Sequence, residues 1–129
     1  MTGGSQAAGV KRRAIYFCID SAVVASFVII GRDTHHESVG AAEVIRTAAP
    51  FLLALAGAWL TPLVHRMPWR IGSGVAVGVI TTALGLYFRA VVFGEGNSGM
   101  FPVVTAGYLI GVMALARVIG AARSRPMTT

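Results

Sequence analysis

The sequence predicts an all-α membrane protein, a four-transmembrane-helix bundle with both termini cytoplasmic. Three observations carry this reading. Hydrophobic residues make up 55% of the 129 positions and charged residues 12%, where a soluble domain carries about 25% charged. The apolar residues collect into four runs, each near the roughly 20 residues that a helix needs to cross the hydrocarbon core. Finally, Lys and Arg gather at alternate ends of those runs. With 11 basic and 5 acidic side chains, the chain has too little polar surface to coat a soluble core of this size. Mean hydropathy is +0.71, and the same composition excludes collagen, coiled coil, disulfide scaffold and intrinsic disorder.

The first run covers residues 14–31, AIYFCIDSAVVASFVIIG, interrupted only by Asp20. A secretory signal is the competing reading of this run and its basic Lys11-Arg12-Arg13 flank. The run is long for such a signal, and no small-residue cleavage site leads into a polar mature domain. It is taken as a retained helix. The second run covers residues 44–64, strictly apolar from Ala48, with AAEVIRTAA as its exposed first turns. Pro50 is placed early in that helix, where a missing N–H does least harm, and Pro62 should kink or loosen its inner end. Residues 71–93 form the third run, with Arg89 near its far end, and residues 100–120 the fourth, with Arg117 near its end. Asn97-Ser98-Gly99 and Pro102 read as the turn and cap that open the fourth helix.

Orientation follows from the loops. Lys11, Arg12 and Arg13 precede the first span, Arg66 and Arg70 separate the second from the third, and Arg123 and Arg125 follow the fourth. In the alternate loops Arg32 and Arg46 are outnumbered by Asp33, Glu37 and Glu43, and Glu95 stands alone after the third span. The basic side is cytoplasmic by the positive-inside rule. The expected organisation is a disordered cytoplasmic N-terminus over 1–13, one transmembrane domain over 14–120 and a cytoplasmic tail over 121–129. The partner implied by a net charge of +6 is the lipid bilayer, with its anionic inner surface. Nucleic acid is not, because the basic residues flank apolar runs and form no patch with interleaved aromatics.

Helices in lipid associate through close backbone approach and polar contacts. Gly74, Gly78, Thr81, Thr82, Gly85 and Arg89 recur at three- or four-residue spacing along the third span, so they share one face. Gly107 and Gly111 form a second GxxxG in the fourth span. Packing stripes inside a tight bundle are the simplest account. A narrow polar crevice running toward Arg89 is the sharper alternative, and a second copy of the chain, forming a dimer, is a further partner for such stripes.

The ionisable residues within spans are the candidates for function, since a charge at mid-bilayer costs roughly 2.5–3.5 kcal/mol and needs a partner or neutralisation. Asp20 lies six residues into its span, about 9 Å deep at 1.5 Å per residue, and its side chain is too short to reach water. Arg117 lies at comparable depth from the same side. A salt bridge between them, a proton-binding or substrate-coupling Asp20, and a protonated Asp20 bonded to Tyr16 or Ser21 all remain open. Arg89 has the length to snorkel toward Glu95, Glu37 or Asp33, or to attract anions into the glycine–threonine face. His35, His36 and Glu37 are the metal-like cluster, but adjacent histidines point apart and no further ligand is fixed by spacing, so a solvated loop is the better reading. The single Cys18 sits in an apolar run. Trp59, Tyr87 and Tyr108 read as membrane aromatics, and Trp69, beside Arg70, belongs to the inner interfacial belt. No nucleophile–base pair, phosphate loop or cofactor motif appears, so no enzyme activity and no cofactor is assigned.

Asp20, then Gly31-Arg32 with His35, Thr47-Ala48 with Pro50-Phe51, Gly57 and Trp59, Gly78, Thr81, Gly85 and Arg89, and Gly96 with Phe101 form a run covering about residues 15–117. On these residues the chain resembles a small uncharacterised four-helix integral membrane family common in actinobacteria, a domain-of-unknown-function family. The fourth span departs from that family's Gly-Trp-Arg ending, its Arg117 standing in ALARV. The resemblance implies four helices and marks Asp20, Arg32, His35, Pro50, Trp59 and Arg89, but it implies no activity. Small multidrug exporters and fluoride channels share the helix count, not the residue patterns.

Two functions compete. One is a small transporter or channel for a solute or ion, with Asp20 as the titratable group, Arg89 as an electrostatic gate and Arg117 beside them. The other is a non-catalytic membrane scaffold or accessory subunit whose charges are paired internally. The concentration of charges in a glycine- and threonine-lined bundle tilts the reading toward transport.

Overall fold

The structure is a computed structural model and describes residues 2–34, 40–92, 94 and 99–124. Helix α1 spans Thr2–Thr34, α2 Ala41–Trp59, the short α3 Pro62–Arg66, α4 Ile71–Val91 and α5 Phe101–Ser124. Four of these helices are long and apolar enough to cross a membrane, with spans at Gly9–Asp33, Ala41–Trp59, Ile71–Val91 and Phe101–Arg123. At 1.5 Å per residue, the 21 residues of α4 reach about 31 Å, the thickness of the hydrocarbon core. The fold is all-α, with no strand among the described residues.

Several boundaries differ from the sequence reading for identifiable reasons. Helix α1 runs back to Thr2, where a disordered segment over 1–13 was expected. Once the first span has formed a helix, each added residue gains a hydrogen bond without a new nucleation step. Helix α2 begins at Ala41, so Pro50 lies in its middle and is buried there, not early in the helix. Pro62 does not kink the second span. That span ends at Trp59, and Pro62 instead opens α3, where its missing N–H costs nothing. Thr61 closes the preceding end, its hydroxyl donating to the Ala58 carbonyl at 2.7 Å.

The spans form a closed ring in the order α1, α2, α4, α5, with α5 returning to α1. Val24, Val28, Phe51, Leu55, Val77, Leu109 and Met113 fill the centre. Phe27 sits among Phe51, Phe101 and Tyr108, with ring centroids 5.4–6.2 Å apart. The closest approaches are made by glycines of α4. A Cβ at Gly78 would stand 2.5 Å from the Ile110 Cα, one at Gly74 2.9 Å from the Met113 carbonyl oxygen, and one at Gly85 would overlap the Phe51 ring. These three positions let α4 lie against α5 on one side and α2 on the other. Gly107 and Gly111 do something different: nothing lies within 4 Å of a Cβ at either, and both face outward. The GxxxG of α5 therefore takes no part in the internal packing.

The N-terminal half of α1, the connection from α2 to α4 and the C-terminal half of α5 meet at one end of the bundle. Lys11, Arg12, Arg13, Arg66, Arg70 and Arg123 belong to that end; of the described carboxylates, Asp33 and Glu43 belong to the opposite end and Asp20 to this one.

Candidate functional site

Asp20 and Arg117 lie together at the basic end, both fully buried. Neither side chain is exposed, so each must be satisfied by protein. The Arg117 guanidinium meets the carboxylate in a fork: Nη1 donates to Oδ1 and Nη2 donates to Oδ2 at 2.8 Å. Its Nε donates to the Pro68 carbonyl at 2.9 Å, and Nη1 also approaches the Met113 carbonyl at 3.4 Å. Trp59 supplies the remaining donor, its indole N–H reaching Asp20 Oδ2 at 2.9 Å. The Tyr16 ring closes one face of the guanidinium at 5.0 Å, and the Tyr16 hydroxyl packs where a Cβ on Gly120 would be. Phe17 stands edge-on to Trp59 at 5.3 Å.

This cluster draws on α1, α2, α5 and the turn before α4. A bidentate charge-assisted pair with every acceptor engaged is the arrangement that makes a buried ion pair tolerable. It is also an enclosed arrangement: both Asp20 oxygens accept from donors on other helices, and both side chains of the pair are fully buried. Sequence spacing brought Asp20 and Arg117 to the same depth. It did not reveal Trp59 as a donor, Pro68 as an acceptor, or Tyr16 and Gly120 as the wall. The available signal was that one buried carboxylate needs more donors than one Arg supplies, and Trp59 stands at the matching end of α2.

The other candidates lie elsewhere. Arg89 is half-buried at the opposite end of α4, its guanidinium 4.6 Å over the Phe101 ring. It is therefore separated from Asp20 by the length of the bundle. Arg32 donates to the Thr47 hydroxyl at 2.8 Å, which in turn donates to the Glu43 carbonyl at 3.0 Å, fastening α1 to the first turns of α2. Ser26 and Tyr108 hydroxyls are 2.8 Å apart across α1 and α5. Pro50 is buried against the centre. His35, His36 and Glu37 lie outside the described residues, as does Glu95. Among the described residues no group of His, Cys, Asp and Glu is placed to hold a metal, and Cys18 is exposed. In the α4 stripe, Thr81 and Thr82 carry buried hydroxyls with no hydrogen-bond partner.

No curated protein and no solved structure matches the chain. A family described as "Protein of unknown function (DUF3054)" matches residues 17–120, a stretch that includes Asp20, Trp59, Arg89 and Arg117. The chain, a protein of four apolar helices with a buried Asp–Arg pair, belongs to that family.

Proposed function

We propose that the protein is a multi-pass scaffold or accessory subunit of the cell membrane, its termini cytoplasmic, and that its buried charges serve architecture. The observation that carries this reading is the fully buried, bidentate Asp20–Arg117 pair. Both carboxylate oxygens are engaged, by Arg117 and by Trp59, and Arg89 is remote from them. A coupling carboxylate has to exchange its partner during a cycle, and here exchange would strand a cation in the bilayer.

Flux measurements on protein reconstituted in liposomes test this directly. The expected result is proton flux no greater than in empty liposomes, with Asp20→Asn lowering thermal stability. A proton-linked flux that Asp20→Asn abolishes in an otherwise stable protein would reverse the assignment.

The transport reading keeps one supporting observation, the unpartnered hydroxyls of Thr81 and Thr82 on the glycine face of α4. Buried polar atoms in lipid usually find partners, and a small polar solute or water passing between helices would supply them. Solute-dependent protection of a Thr81→Cys variant from a small thiol reagent would favour that reading.

For a subunit that works by association, the open face of α5 around Gly107 and Gly111 is the natural surface for a second copy. Small residues on an outward face permit the close backbone approach on which helix pairs in lipid depend.

A further inference from the structure

A shallow depression of about 210 Å³ opens at the basic end between α3 and the start of α4, lined by Pro62, Leu63, Arg66, Met67 and Arg70. We propose that it binds the phosphate of an anionic phospholipid, with Arg66 and Arg70 on the headgroup and Leu63 and Met67 against the upper acyl chains.

Position comes first. The second span ends at Trp59 and the third begins at Ile71, so the intervening segment stands at the level of the headgroups. That segment exposes apolar side chains outside the spans: Leu60 is 79% exposed, Leu63 57% and Met67 46%. Water is a poor neighbour for such a row, whereas the boundary between headgroups and acyl chains covers it.

Charge comes second. No described carboxylate faces Arg66 or Arg70: Asp20 is engaged by Arg117, and Asp33 and Glu43 lie at the other end. Among the described residues, the one polar contact of the Arg70 guanidinium is the Met67 sulfur at 3.7 Å, too weak to satisfy a cation. Two guanidinium groups flanking one depression match the oxygens of a phosphate, and basic pockets at the cytoplasmic ends of helices are suited to anionic headgroups.

The frame beneath them is held. Arg13 donates from Nε to the His65 carbonyl at 2.6 Å and from Nη2 to the Arg66 carbonyl at 3.1 Å. The Ser73 hydroxyl donates to the Met67 carbonyl at 2.7 Å. Arg12 and Arg13 meanwhile approach the Trp69 ring at 4.3 and 5.9 Å. The backbone that carries Arg66 and Arg70 is thus fixed from two sides while their guanidinium groups face outward. A free inorganic anion would have no use for the exposed Leu63 and Met67, which is why the lipid is favoured over soluble phosphate.

The test measures thermal stability of the full chain in neutral detergent as dioleoyl phosphatidylglycerol, dioleoyl phosphatidylcholine or inorganic phosphate is added, with bound lipid counted by native mass spectrometry. Phosphatidylglycerol is expected to raise the melting temperature and remain bound, and phosphatidylcholine to do neither. Arg66→Gln with Arg70→Gln should weaken retention at least tenfold, and the doubly Lys-substituted protein should recover part of it. The control Lys11→Gln with Arg123→Gln removes equal charge from the same end and should bind as the unaltered protein does. Equal loss in the control overturns the proposal in favour of diffuse charge. Stabilisation by phosphate alone overturns it in favour of a soluble anion, and indifference to headgroup charge overturns it outright. Both arginines are exposed, so the variants are expected to fold, and unchanged melting without lipid verifies this.

Discussion

Gly78 and Ile110 bring two helices together at a point where not even a methyl group fits: a Cβ on Gly78 would lie 2.5 Å from the Ile110 Cα. The obstacle is backbone, so no rotamer change relieves it. Gly78→Ala should therefore separate α4 from α5 and cost about 1–3 kcal/mol, the usual range for overpacking. Val91→Leu, at a position 63% exposed, should stay within about 0.5 kcal/mol. Melting of the two variants in one detergent checks the contrast, and equal values would place the glycine stripe in lipid.

Removing one member of the buried pair should hurt more than removing both. Asp20→Asn leaves Arg117 buried without its counter-ion and is expected to cost about 3–5 kcal/mol. The double variant Asp20→Asn with Arg117→Gln should recover much of that loss. A fully stable single variant would mean that the pair contributes nothing to the fold.

Trp59→Phe isolates the third member of the cluster. It deletes the 2.9 Å bond to Asp20 Oδ2 but keeps an aromatic ring beside Phe17. The expected loss is about 1–3 kcal/mol, the range for a buried acceptor that loses a donor, and smaller than for Asp20→Asn. Urea or thermal denaturation of the two variants side by side gives the ranking.

Gly107→Leu and Gly111→Leu should leave the isolated protein's melting unchanged, since neither position touches another helix. If two copies associate through α5, cross-linking in membranes should fall sharply in both variants. Retained cross-linking would move the contact to another face.

Reporter fusions address orientation. A reporter at Gly40 should read outside and one at Pro68 inside, as the Lys and Arg distribution requires. A Pro68 fusion reading outside would invert the protein and move the basic depression away from the cytoplasmic leaflet.

Span number and the glycine face of α4 were legible because both depend on local pattern: apolar length for the spans, and the helical repeat for Gly74, Gly78 and Gly85. The role of Gly107 and Gly111 was not legible, since a GxxxG specifies a smooth face without saying whether anything occupies it. Pro50 was misplaced because its position was counted from the strictly apolar run at Ala48 and not from Ala41, where the exposed first turns of α2 begin. The depth of Asp20 and Arg117 could be counted from the sequence. Their partners Trp59 and Pro68, 39 and 49 residues away from Asp20 and Arg117 respectively, depend on which helices are neighbours, and single-span patterns do not encode that.

The bond between Asp20 and Arg117 joins residues 97 positions apart, and this separation bears on how the protein is made. At about 5–20 residues per second, synthesis of the intervening chain takes on the order of 5–20 seconds. During that interval the first span carries its carboxylate without its arginine, although Trp59 has already emerged. The first helix is thus least at home in lipid when it is youngest, and the last helix to arrive both completes the ring and neutralises it. A chain that stops before Arg117 would leave Asp20 permanently without its counter-ion in the bilayer.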